Sequence, residues 1–455
     1  MEFLLVVGLV VFGMAFFIIR NVVFDMRVNK GLQAVTKGLF QDAVDLLLPL
    51  KERRKNLGVL WGLARAYHGL QNENESVKIL KKIPLSQIQG NRYFNTKEYY
   101  LFYSDICKAM ALYNDSIKYL VYLKNNGFDF WTVNLKIAEV FYIIRDLKKA
   151  VHHLFLCLEQ NPKSWEAMLL LSKIYYEIRN FPRSAEFGQS ALSVNHDCAE
   201  AGLYAGLSYY KMDRFGQSIE MLENVTAVGK QRVEYLNALG MSLYKMNDFA
   251  GAYDRLGPLL SLLPNYHILY KDVLYKLANS AEKIGRFKES FDYWKDLYTM
   301  DPKYSDAKLR YDLATLYNGH ESFRIYLFSD PSHFRPFLLA VLGRLGANIL
   351  KILDLSHNVV EAFCEIKTQE DAFVKVLYRF VRGLEVVDRK VVELFHFEMK
   401  HKSCSQGAIY TVGEVSSEVL HLTHIHSIAV IRENEFIGLL DQAYQDYREN
   451  MSKRV

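Results

Sequence analysis

The chain repeats itself at an interval of 34 residues. GLSYYKMDRFGQSIEML at 206–222 is followed by GMSLYKMNDFAGAYDRL at 240–256, which sets Gly206 over Gly240, Lys211-Met212 over Lys245-Met246, and Leu222 over Leu256. Two markers extract the full series. The first recurs at Gly31, Ala64, Ser104, Ala138, Ser172, Gly206, Gly240 and Ala278. The second follows twelve residues later, at Ala43, Ser76, Ser116, Ala150, Ser184, Ser218, Ala252 and Ser290. Every marker is Gly, Ala or Ser, and the second markers from Ser116 to Ala252 lie 34 residues apart. A large residue stands four places after the second marker at Leu47, Leu80, Leu120, Leu154, Leu222, Leu256 and Trp294, whereas Gly188 breaks the rule in the fifth copy. Pro162, Pro264 and Pro302 stand twelve places after their markers.

Two antiparallel helices per unit account for this grid. Where they cross closely, anything beyond a methyl or hydroxymethyl group holds the backbones apart, and the larger residues fill the space between units. Proline ends the second helix because it cannot continue the hydrogen-bond ladder. A 34-residue helix–turn–helix unit with this small/large/Pro signature resembles the tetratricopeptide repeat. The resemblance covers eight copies over residues 26–302, with insertions before Ser116 and Ser290. It implies a right-handed helical solenoid and, in function, a surface for protein partners. The packing set includes Gly206, Gly240, Ala150, Ser184, Ser218 and Ala252.

At 455 residues the chain is too long for one compact core, so a further domain is expected beside the array. A net charge of +5, with no basic run, gives nothing to track a nucleic-acid backbone, and no nucleic-acid partner is expected. The cysteines (107, 157, 198, 364 and 404) are scattered without CxxC spacing, which indicates neither a disulfide framework nor a zinc site. The start, MEFLLVVGLVVFGMAFFIIR, is uncharged from Phe3 to Ile19. As a helix that run is about 26 Å long, close to the roughly 30 Å of a hydrocarbon core. Residues 1–24 are therefore expected to form a transmembrane anchor contacting lipid through 3–24, with Glu2 and the lack of a small-x-small site opposing a signal peptide. This makes the chain a single-pass protein, assigned here to a bacterial inner membrane. Arg20, Arg27, Lys30 and Lys37 after the run favour a cytoplasmic body over a periplasmic one.

In the repeat family the first helix of each pair lines the concave side. Four places after the first marker stand Tyr142, Tyr176, Tyr210 and Tyr244, followed at the next position by Lys211, Lys245 and Lys283. Six places before the marker the column is acidic and includes Glu166, Glu200 and Glu234. Rings with hydrogen-bonding tips, ammonium groups and carboxylates suit an extended or helical peptide. The same tyrosines equally suit packing against the neighbouring repeat.

A capping helix is expected within 303–318, after which the texture changes. Short β-rich runs at 347–354, 359–366, 372–380, 408–412 and 428–431 alternate with helical patterns, so 319–455 reads as a small α/β domain. Its tail, GAIYTVGEVSSEVLHLTHIHSIAVIRENEFIGLL, is similar to the end of the Mrr-like restriction-endonuclease fold. That resemblance implies an acidic metal ligand on one strand and Gln/Glu-x-Lys on the next. The acidic position maps to Glu361, and the second motif becomes Leu377-Tyr378-Arg379, in which leucine cannot bind a metal and arginine replaces the lysine. Glu365-Ile366-Lys367 spells the motif only if the strands are shifted. His421, His424 and His426 lack helical zinc spacing and read as a turn.

The sequence thus describes a mainly α protein: a membrane-tethered tetratricopeptide-type scaffold in a secretion, envelope or flagellar motor accessory assembly, without catalytic residues, metal or cofactor. The alternative is a tethered nuclease with metal at Glu361 and Glu365. The sequence does not fix an oligomeric state.

Overall fold

A computed structural model describes residues 2–53, 56–128, 130–225, 231–356, 358–368, 372–383 and 385–452. The chain divides into two compact units, Met1–Ala238 and Leu239–Val455. The first holds the helix pairs α1 (Glu2–Thr36) and α2 (Phe40–Arg53), α3 (Leu57–Gly69) and α4 (Glu73–Leu80), and α5 (Thr96–Ala109) and α6 (Tyr113–Asn125). Next come α7 (Phe130–Ile143) and α8 (Leu147–Gln160), α9 (Trp165–Glu177) and α10 (Phe181–Val194), and α11 (Ala199–Lys211) and α12 (Phe215–Leu222). The division falls inside α13 (Gln231–Lys245), which pairs with α14 (Phe249–Leu262). The second unit continues with α15 (Tyr270–Lys283), α16 (Phe287–Met300), α17 (Ala307–Gly319), α18 (Glu321–Phe328) and α19 (Pro331–Arg344).

The expected membrane anchor is overturned. Among the described residues no helix is long and apolar enough to cross a membrane. The side chains of residues 3–10 lie outside the described set. The uncharged run from Phe3 ends at Ile19. Beyond it α1 runs on through Arg20, Asp25, Arg27 and Lys30 into the first hairpin, where Val28 and Val35 are buried. The helix is therefore the first element of the repeat core. The lipid contact through 3–24, the inner-membrane location and the argument for its orientation fall with the anchor.

Each hairpin turns the same way. Seven residues after each first marker the backbone enters the left-handed region, at Gly38, Gln71, Ala111, Arg145, Arg179, Asp213, Asn247 and Gly285, with φ between 56° and 79°. In all eight the next N–H donates to the carbonyl five residues earlier, from Leu39 to Ala34 through Arg286 to Ala281, at 2.8–3.0 Å. This bond satisfies a helix-end carbonyl that would otherwise lack a partner. The second helix then opens on a side-chain cap at Asn72, Asp146, Asn180 and Asp248.

The two markers meet across each pair. Ser104 Oγ lies 2.8 Å from Ser116 Oγ, and Ser184 Oγ donates to the Ser172 carbonyl at 2.9 Å. Ser76 and Ser290 donate in the same way to the carbonyls of Ala64 and Ala278, at 2.7 and 2.9 Å. Ser218 is buried with its hydroxyl unpartnered, and Ala150 and Ala252 are fully buried. At the glycine markers the large residue one turn further on packs into the space a side chain would take. A Cβ on Gly31 or Gly206 would stand 2.5 Å from Leu47 or Leu222, and one on Gly240 would stand 2.6 Å from Leu256. Gly188 is the exception because its helix is approached from two sides: a Cβ there would meet Ala201 O and Ala205 Cβ at 3.0 Å and Ser172 Oγ at 3.1 Å.

The C-terminal part of the second unit is a five-stranded sheet in the order β1 (Ala347–Ser356), β2 (Val359–Lys367), β3 (Phe373–Val381), β4 (Gln406–Tyr410), β5 (Ile428–Ile431). The first three strands are antiparallel and the last two join in parallel. Helices α20 (Arg389–His401) and α21 (Ser417–His426) supply the crossovers, and α22 (Glu433–Ser452) ends the chain. Alternation sorts the strands into two cores. Tyr378 and Phe380 face Phe337 and Phe436 of α19 and α22, while Leu377 and Ile409 face Phe395 and Met399 of α20. His421, His424 and His426 lie on α21 rather than in a turn, because the helix extends to His426.

Two outcomes are expected. Ala252→Leu inserts three carbons where the helices touch, and should lower stability by more than about 1 kcal/mol; an unchanged melting midpoint would count against this crossing. Ala111→Gly relieves a left-handed alanine and should stabilise by about 0.5–1 kcal/mol, while Gly285→Ala should destabilise by a similar amount. Denaturant titration of the two variants reads both signs.

Candidate partner-binding face

The first helix of each pair carries the tyrosine column, and all four tyrosines are half-buried. In the first unit the Tyr142 hydroxyl donates to Glu177, which also pairs with Arg145. The Tyr176 ring meets Phe181 edge-on at 5.8 Å and Tyr204 at 5.5 Å. Lys173 bonds Glu200 at 2.7 Å and stands 5.9 Å from the Tyr204 ring centre. Gln231 Nε2 donates to the Tyr204 hydroxyl at 3.2 Å. Tyr210 packs on Phe215, with the Lys211 ammonium 5.5 Å from its ring centre. The result is a surface of ring edges and hydroxyl tips set among carboxylates.

Burial pushes the Tyr176 phenol up to about 12, with Glu234, Tyr204 and Tyr210 adding to the shift. Tyr204 is raised by burial and then by Glu200, with Glu177 and Glu234 contributing less. The phenols therefore stay protonated at neutral pH and present O–H donors beside anionic groups. Glu200 and Glu234 share this surroundings with the tyrosines, whereas Glu166 accepts from its own neighbour Ser164 at 3.2 Å. In the second unit Tyr244 packs on Phe249, and Lys276, which is paired with Asp272, stands 5.8 Å from its ring centre. Lys245 is exposed.

Column reading overlooks Tyr204, Lys173 and Glu177. The position of Tyr204 is lysine, leucine and alanine in other copies (Lys136, Leu170, Ala238), so periodicity does not mark it. Helical geometry does: Tyr204 is one turn beyond Glu200, and Lys173 two turns beyond Glu166.

The nuclease-like positions meet in a different chemistry. Glu361 and Arg379 are cross-strand partners on β2 and β3. Arg379 Nε and Nη2 both donate to Glu361 Oε1, at 2.9 and 2.6 Å, and the guanidinium lies 4.8 Å from the Phe395 ring centre. Glu361 Oε2 makes no well-formed hydrogen bond; Lys402 Nζ faces it at 3.5 Å. Leu377 is fully buried in the apolar core. A divalent ion does not fit this set, because the one buried carboxylate is already neutralised by a fixed guanidinium and an ammonium. Glu365 lies opposite Lys375. Among the described residues no group of three His, Cys, Asp or Glu side chains stands around a common point. The His426 ring lies against that of His396, tilted with centres 3.9 Å apart, and the side chains of His421 and His424 lie outside the described residues.

No known family's sequence profile matches the chain, and no curated protein matches it. Solved structures do. The C-terminal part of a TPR repeat-containing protein from Cytophaga hutchinsonii aligns with 62% of this chain and 98% of its own, at 12% identity and a TM-score of 0.39. YrrB, described as a TPR protein with an unusual peptide-binding site, aligns with 41% of this chain and 95% of its own, at 12% identity and 0.36. The APC/C hetero-tetramer Cut9–Hcn1 aligns with 64% of this chain and 55% of its own, at 14% identity and 0.33. Scores this low assign no residue of this chain a role.

Arg379→Met should cost about 3–5 kcal/mol, since it leaves a buried carboxylate with only a distant ammonium. Adding Glu361→Gln to that variant should restore part of the loss in a double-mutant cycle. Millimolar magnesium or manganese should leave the wild-type melting curve unmoved.

Proposed function

We propose that the chain is a non-enzymatic scaffold that captures a protein partner on the first-helix face of the repeats. Tyr176, Tyr204 and Tyr210 form the centre of the contact. The observation that carries this reading is the tyrosine and carboxylate surface itself. Half-buried rings are held in place by ring and hydrogen-bond contacts, so they lose little entropy on meeting a ligand. Hydroxyl tips and acidic groups then select the partner's polar atoms. Tyr142 extends the contact and Lys211 acts at its rim, and in the second unit Tyr244 and Lys245 repeat the same chemistry. The C-terminal sheet serves as a second contact module. It works without nuclease chemistry, a reading supported by the Glu361–Arg379 pair, which occupies the carboxylate that metal binding would need.

Site-specific photo-crosslinking at Tyr210 identifies the partner, and titration of that purified partner then tests the site. Tyr176→Ala with Tyr210→Ala should weaken binding by at least about 2 kcal/mol, roughly thirtyfold. Melting of the free variant separates this from lost packing against Phe181 and Phe215. Lys211→Glu with Lys245→Glu should have a smaller, salt-dependent effect. A folded double tyrosine variant that binds with wild-type affinity would sink the proposal.

A further inference from the structure

The second unit contains a cleft of 640 Å³ whose lining includes none of the column tyrosines, although Lys283 of the basic column stands on its wall. Its walls come from the α15–α16 turn, α17, the α18–α19 turn and the residues flanking β2 and β3. Arg382, on the exit from β3, lines it and is 8% exposed. Its Nε donates to the Tyr326 carbonyl at 2.7 Å and its Nη2 to the Ser329 carbonyl at 2.5 Å. Its guanidinium carbon lies 3.9 Å from the Phe334 ring centre. Among the described residues no carboxylate stands within ion-pair distance of it. Burial accordingly holds its pKa below the usual arginine value, with Tyr326, Asp330 and Asp354 opposing the shift only in part.

The other charges of the cleft leave a cationic excess. Lys283 is exposed on the wall and makes no ion pair among the described residues. The carboxylates are already engaged. Glu282 takes Arg310 Nη1 and the Tyr317 hydroxyl, each at 3.4 Å. Asp330 caps α19, accepting from the Ser332 and His333 amides at 2.8 and 3.3 Å. Beside these groups Phe287 and Phe328 form an apolar patch, with ring centres 4.9 Å apart.

We propose that this cleft binds an organic anion, a carboxylate carried on an apolar body, with Arg382 and Lys283 meeting the charge and Phe287 and Phe328 the body. A guanidinium removed from water costs several kcal/mol unless a counter-charge faces it. Two main-chain carbonyls supply dipoles but no charge. A carboxylate supplies that charge and matches the planar fork of arginine. The volume lies within the roughly 300–1,000 Å³ of ligand pockets, and an apolar lining with a few fixed polar groups is their common make-up. The carboxylate can come from a free small molecule or from an acidic side chain of a protein segment.

Calorimetric titration of the full chain decides between these sources and tests the site. The probes are 3-phenylpropionate, its uncharged isostere 3-phenylpropanamide, and acetyl-Asp-Phe-amide. Both acids should bind, and the amide should bind at least about tenfold more weakly. Tighter binding of the dipeptide assigns the site to an acidic protein segment, and tighter binding of the free acid assigns it to a small molecule. Lys283→Glu should weaken the acids about tenfold while leaving the melting of the free protein unchanged. Arg382→Lys keeps the charge but loses the fork and should weaken them at least as much. If Arg382→Lys also lowers the melting point, Lys283→Glu decides alone. Equal binding of acid and amide, no binding of either acid at millimolar concentration, or full affinity in Lys283→Glu would overturn the assignment.

Discussion

Each hairpin rests on two backbones that cross too closely to admit anything larger than serine at the contact. That single distance sets the rest. Serine hydroxyls at the crossing reach the opposite main chain, as Ser184 does to the Ser172 carbonyl at 2.9 Å, and so turn a packing constraint into a directional bond. A leucine one turn later covers the gap, and where the first marker is glycine, at Gly31, Gly206 and Gly240, that leucine packs into the space a Cβ would take. The turn must then reverse the chain within a few residues. It does so through one left-handed residue and one bond back to the preceding helix, in all eight hairpins. Units built this way depend on their immediate neighbours for a core, so stability is local and roughly additive along the array.

This explains which parts of the structure were legible in the sequence. A crossing that tolerates only Gly, Ala or Ser writes itself as a period, and periods can be read without any relative for comparison. The left-handed turns were less visible. Only Gly38 and Gly285 carry the usual residue, while Arg145 and Arg179 accept the strain for no reason that composition reveals. Tyr204 escaped column reading because groove chemistry obeys no such constraint: what faces outward is free to differ from copy to copy. The apolar start misled for a related reason. Counting uncharged residues up to Ile19 treats the run as a free-standing segment, but α1 is one helix whose later turns bear charges and pack in the first hairpin.

The sheet was legible as short β-rich runs, whose central strands the structure sorts between two helical layers. The meeting of Glu361 with Arg379 was not, because strand register is a property of the folded pair and cannot be counted along one chain. Once the register is known, both residues fall on the α20 side of the sheet, and the carboxylate read as a metal ligand accepts two arginine N–H groups on one oxygen.

That pair also restricts how the chain can vary. Neutralising either partner alone strands the other in a dry interior, a loss comparable to the whole stability margin of many domains. A charge-free arrangement at 361 and 379 therefore lies two substitutions away, through an intermediate about 3–5 kcal/mol less stable. A chain accumulating changes one at a time is held at this charge arrangement by the depth of the valley on either side.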